Sequence, residues 1–466
     1  MKKKTSMLLT IVFGSLVIFS GCIKGHDYSP GSSNVVVGYL YTTINGEGLN
    51  KVVRFSRHPD GALSDEKSYS TNSNGGASVA AGGDAHGDFD AQGGVQIIGD
   101  YLLNVNAGGN TISVFDLNKK TGDLVFKTNV NSGGTRPVSI GYTKKNGSNV
   151  EYWVVVGNQW NNPNVQKDGA QIERYPNNAF YLQDLTQPDA SDNERTIQLF
   201  TFNTQTGTLT SIRQLDKYIR ENGGPTTVRF SNDGTKLAVA TWGIAHFNTE
   251  HTSLKEQHPS RVYLYDFADG NTSNKRFFEE KGIAGSIGFN WKKTGNSILY
   301  VSNFNLTPSK NDNSVTVLND DGAKVKKIEN FSATSKSGIN ESCWTELNAT
   351  GDKLYVTSFQ TNLVSTFNVN GSGLTFAGSE ARDDLAPHGD SKELWISPDN
   401  KYLYNTGALQ SYSINLFNVT GNSLRYRSQS ILKTTAAGKG IVGSYNFLGL
   451  TGFDVDYGDY KNQDHN

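Results

Sequence analysis

Carboxylates and a histidine occur together in one glycine-rich segment, residues 84–93, where His86, Asp88, Asp90 and Gln92 occupy alternate positions. Two carboxylates beside an imidazole can bind a cation or carry out general acid–base chemistry. The alternative interpretation is a surface loop in which the aspartates cap backbone N–H groups. The segment ends just before a short apolar stretch. Whether these side chains reach an interior site therefore depends on where the fold places that stretch.

Four further positions could contribute to such a site. His388 and Asp390 precede a later apolar stretch in the same way. Arg136 is a candidate anion-binding cation, although a surface guanidinium bonded to a neighbouring loop would have the same sequence. Trp344 could stack on a sugar ring or pack between structural repeats. We therefore predict ligand contacts from His86, Asp88, Gln92, Arg136, Trp344, His388 and Asp390, with His86, Asp88, Arg136 and His388 as the candidates for catalysis.

Several other chemistries find no support. The serine-hydrolase motif Gly-x-Ser-x-Gly is absent, and the glycine pairs at 75–76 and 82–83 lack the strand–loop–helix context of a phosphate loop. A formal charge of −1 offers no basic field for nucleic acid. His246, His251 and His258 are spaced unsuitably for a shared metal. We predict no nucleic-acid partner, no cofactor and no metal.

The first 22 residues resemble a bacterial lipoprotein signal. Lys2–Lys4 precede an apolar stretch, residues 7–20, that is short for a membrane span. The stretch ends in Phe-Ser-Gly-Cys, which resembles a lipobox with Cys22 as the lipidated residue; an uncleaved anchor is the alternative. Cys343 would then have no partner for an internal disulfide.

These features predict a signal peptide at 1–21, a flexible tether at 22–33 and a polar tail at 457–466. The protein would be lipid-anchored in the bacterial cell envelope, in the periplasm or at the outer-membrane surface.

A repeat organises the rest of the chain. Each copy contains a short apolar strand, a polar gap, a second strand ending in an aromatic residue, and a glycine turn; clear copies begin at residues 101, 353 and 401. Seven copies fill residues 35–428 at a spacing of roughly 56 residues, each with three visible strands and room for a fourth.

The repeat predicts an all-β fold, a seven-bladed β-propeller of four-stranded blades within residues 34–456, closed by a strand from residues 429–456. An open β-solenoid is the rival architecture. Two polar insertions, residues 159–195 and 243–260, are predicted as long loops on one rim. Closure of the ring would bring residues 84–92 and 388–390 toward one hub.

The block at residues 90–115 resembles the lactonase-type seven-bladed propellers, a family similar to bacterial 6-phosphogluconolactonases and fungal carboxymuconate-lactonising enzymes. Residues 132–139 and 342–344 resemble a secreted lipoprotein subgroup of that family. The resemblance implies a seven-bladed propeller and lactone hydrolysis by a central cluster of His, Arg and Glu.

The family's catalytic pattern is only partly present. Residues 387–388 keep its Pro-His pair, but Thr226 follows the proline of an earlier blade. Cys343 and Trp344 stand at its Arg-His position, and residues 358–359 are Ser-Phe where the family pattern has Asn-Glu.

Two functions therefore remain open. The first is a monomeric, exported binding protein that holds a small polar ligand, a glycan or a protein partner at its central rim. The second is a lactonase-like hydrolase that acts on a sugar-acid lactone.

Overall fold

β-Branched and aromatic residues recur in short runs separated by glycine and asparagine turns, and these runs form β-strands. The structure is a computed structural model. It describes residues 35–46, 48–76, 89–160, 164–165, 195–218, 223–243, 245–246, 259–306, 314–331, 341–382, 389–408, 411–432 and 447–456. Cys22 and the predicted signal peptide, tether and tail lie outside these ranges, so their boundaries stay predictions.

The strands form seven four-stranded antiparallel sheets, numbered here as blades 1 to 7. Blades 1 to 3 contain, in chain order, β1 (Gly38–Thr43), β2 (Leu49–Arg57) and β3 (Leu63–Asn74); β4 (Val95–Ile98), β5 (Tyr101–Asn106), β6 (Thr111–Leu117) and β7 (Leu124–Asn131); and β8 (Pro137–Lys144), β9 (Glu151–Asn158), β11 (Thr196–Asn203) and β12 (Thr208–Lys217), with the short β10 (Asn164–Val165) between β9 and β11.

Blades 4 and 5 contain β13 (Pro225–Phe230), β14 (Lys236–Thr241), β16 (Val262–Ala268) and β17 (Asn271–Phe278), with the short β15 (Ala245–His246) after β14; and β18 (Ile283–Trp291), β19 (Ile298–Leu306), β20 (Val315–Asp320) and β21 (Val325–Phe331). Blades 6 and 7 contain β22 (Ser342–Leu347), β23 (Lys353–Ser358), β24 (Leu363–Asn370) and β25 (Gly373–Ala381); and β26 (Ser391–Ile396), β27 (Tyr402–Gly407), β28 (Ser413–Thr420) and β29 (Ser423–Ile431).

The last strand closes the ring. β30 (Leu450–Asp454) pairs antiparallel with β1 and becomes the innermost strand of blade 1. Each of the seven interfaces between neighbouring blades holds its own cluster of buried apolar side chains, including the interface between blades 7 and 1. The seven-bladed propeller and its closing strand are confirmed, and the open solenoid is wrong. Closure is favourable because a ring leaves no sheet face without a partner.

Short polar side chains set the turn after the innermost strand. In blade 4, Ser231 Oγ donates to Asp233 Oδ1 at 2.7 Å, and the N–H of Lys236 donates to Ser231 Oγ at 3.0 Å. Ser397 and Asp399 repeat the first contact in blade 7 at 2.6 Å. These side chains satisfy the backbone locally, which is why Asp, Asn and Ser mark this turn in several of the repeats.

The repeat glycine has a packing role between blades. A Cβ on Gly122, in the hairpin between β6 and β7, would lie 2.4 Å from the ring of Tyr39 in the preceding blade, and Gly122 has a φ of +68°. Gly61 stands in the same relation to Tyr402. Any side chain there would displace the aromatic ring and force an L-residue into the left-handed region.

A buried ion cluster joins blades 4 and 5. Asp320 accepts hydrogen bonds from Arg276 and, at 2.6 Å, from Lys236 Nζ, and its own side chain is fully buried. Although burial opposes ionisation, its bonds to Arg276 and Lys236 hold the pKa of Asp320 below its ordinary value.

Both polar insertions leave the ring at the same rim. β9 ends opposite the start of β8, and β14 ends opposite the start of β13, so each insertion departs beside the start of an innermost strand. β10 and β15 then pair in parallel, Asn164 with Ala245 and Val165 with His246. We call this end of the ring the starting rim and the opposite end the ending rim. Both insertions leave the ring at the starting rim, as predicted, but most of residues 159–195 and 243–260 lie outside the described ranges, so their form as long loops stays a prediction.

Candidate functional site

Gln92 lies on the propeller axis. Its N–H donates to Thr226 O at 3.2 Å in blade 4, and its carbonyl accepts from Ser139 Oγ at 2.6 Å in blade 3. Its Nε2 donates to Thr345 O at 2.5 Å in blade 6. A Cβ on Gly288 of blade 5 would lie 2.5 Å from Gln92 Oε1. A residue that touches the innermost strands of four other blades must occupy their common centre.

Gly93 and Asp90 extend this contact to blade 7. The Gly93 N–H donates to Glu393 Oε1 at 2.9 Å, while the Gly93 carbonyl accepts from the N–H of Ile140 at 2.9 Å. Asp90 Oδ1 lies 3.5 Å from Lys392 Nζ, with both side chains almost fully buried. Residues 90–93 therefore close the channel, and we call them the axial plug.

Two of the predicted ligand contacts meet at the plug. Trp344 is buried, and its Nε1 donates to Ala91 O at 2.8 Å, beside Gln92. Lys392 Nζ lies 5.5 Å from the Trp344 ring centroid, a distance that suits a cation–π contact. These contacts hold the plug in place. Gln92 Oε1 is buried and has no hydrogen-bond partner in the described part of the chain.

The other described candidates lie in networks of their own. Asp390 is fully buried, 2.8 Å from Arg382 Nη1, and accepts from Ser411 Oγ at 2.6 Å. Arg136 is half-buried, has a φ of +58°, and donates from Nη1 to Trp160 O at 2.5 Å. His86, Asp88 and His388 lie outside the described residues, so their predicted roles stay predictions. Residues 84–92 and 388–390 are predicted to approach one hub. Of their described parts, Asp90 lies 3.5 Å from Lys392, which follows the second segment by two residues.

A polar cavity of about 330 Å³ lies beyond the plug, toward the ending rim, and all seven blades contribute to its wall. The side chains that matter for its chemistry are Gln96, Arg229, Asn290, Lys293, Glu346 and Glu393.

Three of the innermost strands share a burial pattern that explains this lining. In β13, β22 and β26 only the penultimate residue is half-buried, and these residues are Arg229, Glu346 and Trp395. Their neighbours in the strand pack between blades, whereas the penultimate side chain reaches the cavity. Two turn residues, Asn232 and Lys293, add to the wall at the ending rim.

Burial sets the charge state of the two carboxyl groups. Loss of hydration, with a smaller contribution from nearby Glu346, raises the pKa of Glu393 to about 8 against the opposing effects of the Gly93 N–H, Arg229 and the Gly449 N–H. Loss of hydration also raises the pKa of Glu346, opposed by Arg229, Lys293 and a hydrogen bond with Asn290. Glu393 is 4% exposed, and its Oε2 has no hydrogen-bond partner among the described groups. The cavity therefore combines basic side chains with a carboxyl group that is mostly protonated at neutral pH.

Aromatic side chains complete the wall. Tyr142 of blade 3 is 37% exposed, and Trp395 of blade 7, also in the lining, is half-buried. Trp291 is held by a hydrogen bond from its Nε1 to Arg229 O at 3.2 Å. Exposed aromatic faces next to hydrogen-bonding groups suit a ligand with an apolar ring face and a polar edge.

Arg229, Glu346 and Glu393 are not among the residues predicted from the sequence. Most of the predicted residues precede an innermost strand, whereas these three lie within or near the end of such a strand. A usable signal was present: Arg229 and Glu346 each stand two residues before the polar turn of their repeat, in an otherwise apolar context. Alignment of the repeats on that turn would have singled out both residues.

Within the described ranges, no group of three or more His, Cys, Asp or Glu side chains is placed to hold a metal ion. The same ranges contain no helix with the length and apolar character needed to cross a membrane.

Comparison with known proteins places the fold. A putative 6-phosphogluconolactonase from Bacteroides fragilis matches with a TM-score of 0.55 at 14% identity over 90% of this chain and 99% of its own. A periplasmic gluconolactonase from Pseudomonas aeruginosa matches with a TM-score of 0.57 at 13% identity over 91% and 100%. A hypothetical selenium-binding protein from Sulfolobus tokodaii gives 0.57 at 10% identity over 90% and 95%.

No protein-family model and no curated protein matches the chain. At these identities the likeness is one of fold, and the resemblance to the lactonase-type propellers is confirmed at that level.

Proposed function

We propose that this protein binds a small, polar, negatively charged ligand in the axial cavity. The observation that carries the proposal is the cavity itself: a polar space of about 330 Å³, closed by the axial plug, with Arg229 and Lys293 in its wall. Ligand pockets of this volume suit compounds about the size of a sugar. A guanidinium group in a partly desolvated wall favours a carboxylate or phosphate through charge-assisted hydrogen bonds.

The test compares D-gluconate with D-glucitol. The two compounds have the same carbon chain, but C1 is a carboxylate in D-gluconate and a hydroxymethyl group in D-glucitol. We expect calorimetry at pH 7 to show binding of D-gluconate and much weaker binding of D-glucitol. Arg229→Gln should weaken D-gluconate binding about tenfold or more, because a charge-assisted hydrogen bond is lost. Arg425→Gln, at an exposed position on β29, is the matched control. Equal affinity of both variants for D-gluconate would contradict the proposed site.

Lactone hydrolysis in the same cavity is a second candidate, favoured by a separate observation. Glu393 is poised to act as an acid at neutral pH, next to a second carboxyl group and two basic side chains. Water would add to the lactone carbonyl as the Glu346 carboxylate takes its proton, and Arg229 with Lys293 would stabilise the oxyanion. Glu393 would then give its proton to the ring oxygen as the acyl C–O bond breaks, which yields the hydroxy acid.

A panel of sugar-acid lactones distinguishes hydrolysis from binding alone. If the cavity is catalytic, Glu346→Gln should lower kcat at least about 100-fold, because the general base is lost. Loss of turnover without loss of D-gluconate binding would support the hydrolase. The absence of turnover with every lactone, together with D-gluconate binding, would leave the binding function alone.

We also propose export and lipid anchoring through Cys22, on the strength of the lipobox-like sequence at residues 19–22. Cells given radiolabelled palmitate should incorporate it into the wild-type protein and not into Cys22→Ser. The wild type should pellet with membranes, and Cys22→Ser should not. Equal labelling of the two proteins would refute lipidation at this residue.

A further inference from the structure

The structure points to Glu393 as the specificity-determining residue of the axial cavity: as a neutral carboxylic acid it donates a hydrogen bond from Oε2 to a negatively charged oxygen of the ligand, so that binding is linked to proton uptake. This inference rests on the proposed binding function and extends it to the chemistry of selection.

The geometry assigns different roles to the two oxygens of Glu393. Oε1 accepts from the Gly93 N–H at 2.9 Å and is thereby fixed to the axial plug. Gly93 has a φ of +85°, a conformation that other residues seldom adopt, so the position of this N–H depends on glycine. Oε2 is buried and makes no hydrogen bond of ordinary geometry to a described group, although the Gly449 N–H is near the carboxyl group, and the side chain lines the cavity. Buried polar atoms are ordinarily satisfied, and a ligand oxygen would satisfy this one.

The polar groups that share the cavity wall with Glu393 or act on its carboxyl group come from five other blades. They are Gln96 of β4, Arg229 of β13, Asn290 of β18, Lys293 of the turn after β18, Glu346 of β22, and the backbone N–H of Gly449 before β30. Lys392, its neighbour in β26, is paired with Asp90 on the plug.

The balance of these groups favours the neutral acid. Loss of hydration and the nearby Glu346 outweigh Arg229 and the two backbone N–H groups, which brings the pKa of Glu393 to about 8. An acid of this kind has a proton to donate below pH 8 and repels an anion above it. An ionised Glu393 would therefore weaken the binding of the anionic ligands that Arg229 and Lys293 attract.

The consequence is a measurable pH dependence. If only the protonated form binds, the apparent Kd for D-gluconate should be about tenfold higher at pH 9 than at pH 7, because about one molecule in eleven is then competent. At pH 8.5 binding should take up about 0.8 proton per D-gluconate, since most Glu393 is ionised before the ligand arrives.

Titration calorimetry tests both numbers. D-gluconate is titrated into the full protein from pH 6.5 to 9, and at pH 8.5 in two buffers that differ in ionisation enthalpy, which gives the proton uptake directly. Glu393→Gln keeps a donor of the same shape but cannot ionise, so its ratio of Kd at pH 9 to Kd at pH 7 should fall close to one. Glu329→Gln, exposed on β21, should keep the tenfold ratio.

Each outcome decides the question. Tenfold weakening with proton uptake in the wild type, abolished in Glu393→Gln, supports the assignment. D-gluconate binding that is independent of pH and buffer would overturn it while leaving the proposed binding function intact. Failure of D-gluconate to bind at any pH would refute the anionic-ligand function and this inference with it. If the variant does not fold, proton uptake that persists in Glu346→Gln supports the assignment to Glu393, and uptake that is lost in Glu346→Gln contradicts it.

Discussion

Replacement of Glu393 by glutamine should change the pH dependence of folding as well as that of binding. In the folded protein, burial raises the pKa of this carboxyl from its ordinary value of 4.5 to about 8. The unfolded chain exposes the side chain to water and restores the ordinary pKa. Between these two pH values the unfolded state has released the proton and the folded state still holds it.

The sign and size follow from this difference. Because the folded state binds more protons, the free energy of unfolding falls as pH rises from about 4.5 to about 8 and is level outside that window. Each unit of pKa difference corresponds to about 1.36 kcal/mol, so the loss across the window is about 5 kcal/mol. Glu393→Gln keeps the shape of the side chain and has no proton to lose. Relative to the variant, the wild type should therefore lose about 5 kcal/mol between pH 4 and pH 8.5.

Paired urea denaturation of the two proteins, followed by tryptophan fluorescence, measures this difference. All other titrating groups are common to both proteins and largely cancel in the comparison. The infrared C=O stretch of a protonated carboxyl, present at pH 6 in the wild type and weaker in Glu393→Gln, gives an independent reading. Parallel pH profiles for the two proteins would show that Glu393 is ionised in the fold, and the reasoning about burial would fail.

Three other perturbations address the architecture. Asp320→Asn leaves the partly buried Lys236 without its counter-charge and Arg276 with only Asp266, and should cost about 3–5 kcal/mol in urea denaturation, whereas Asp321→Asn, whose ion pair with Lys326 is exposed, should cost much less. Gly122→Val should lower the stability by at least about 2 kcal/mol, since the side chain would meet an aromatic ring at a positive φ; an unchanged melting temperature would contradict the interblade contact. Removal of residues 450–466 deletes β30 and should yield aggregated protein on size-exclusion chromatography, because blade 1 loses its innermost strand; a monodisperse product would argue against closure by that strand.

The sequence alone determined the fold because a repeat fixes many strands at once. The copies that begin at residues 101, 353 and 401 coincide with β5, β23 and β27 to within one residue. Their glycines and short polar residues act locally: Gly122 needs its φ of +68°, and Ser231 with Asp233 satisfies backbone groups within one turn. Local effects of this kind can be read from neighbouring residues. The export signal at residues 1–22 is likewise a local pattern, and it stays a prediction.

The site depended on which side chains share the axis, and only the tertiary structure decided that. Gln92 is predicted from the sequence as a ligand contact, and that role stays a prediction. Its hydrogen bonds to blades 3, 4 and 6 make it part of a plug, and they join residues far apart in the chain. Arg229 lies more than a hundred residues before Glu346, and Glu393 belongs to the next blade after Glu346. The closed ring places all three around one cavity. The charge state of Glu393 follows from that enclosure, since hydration is a property of the assembled wall and not of the residue type.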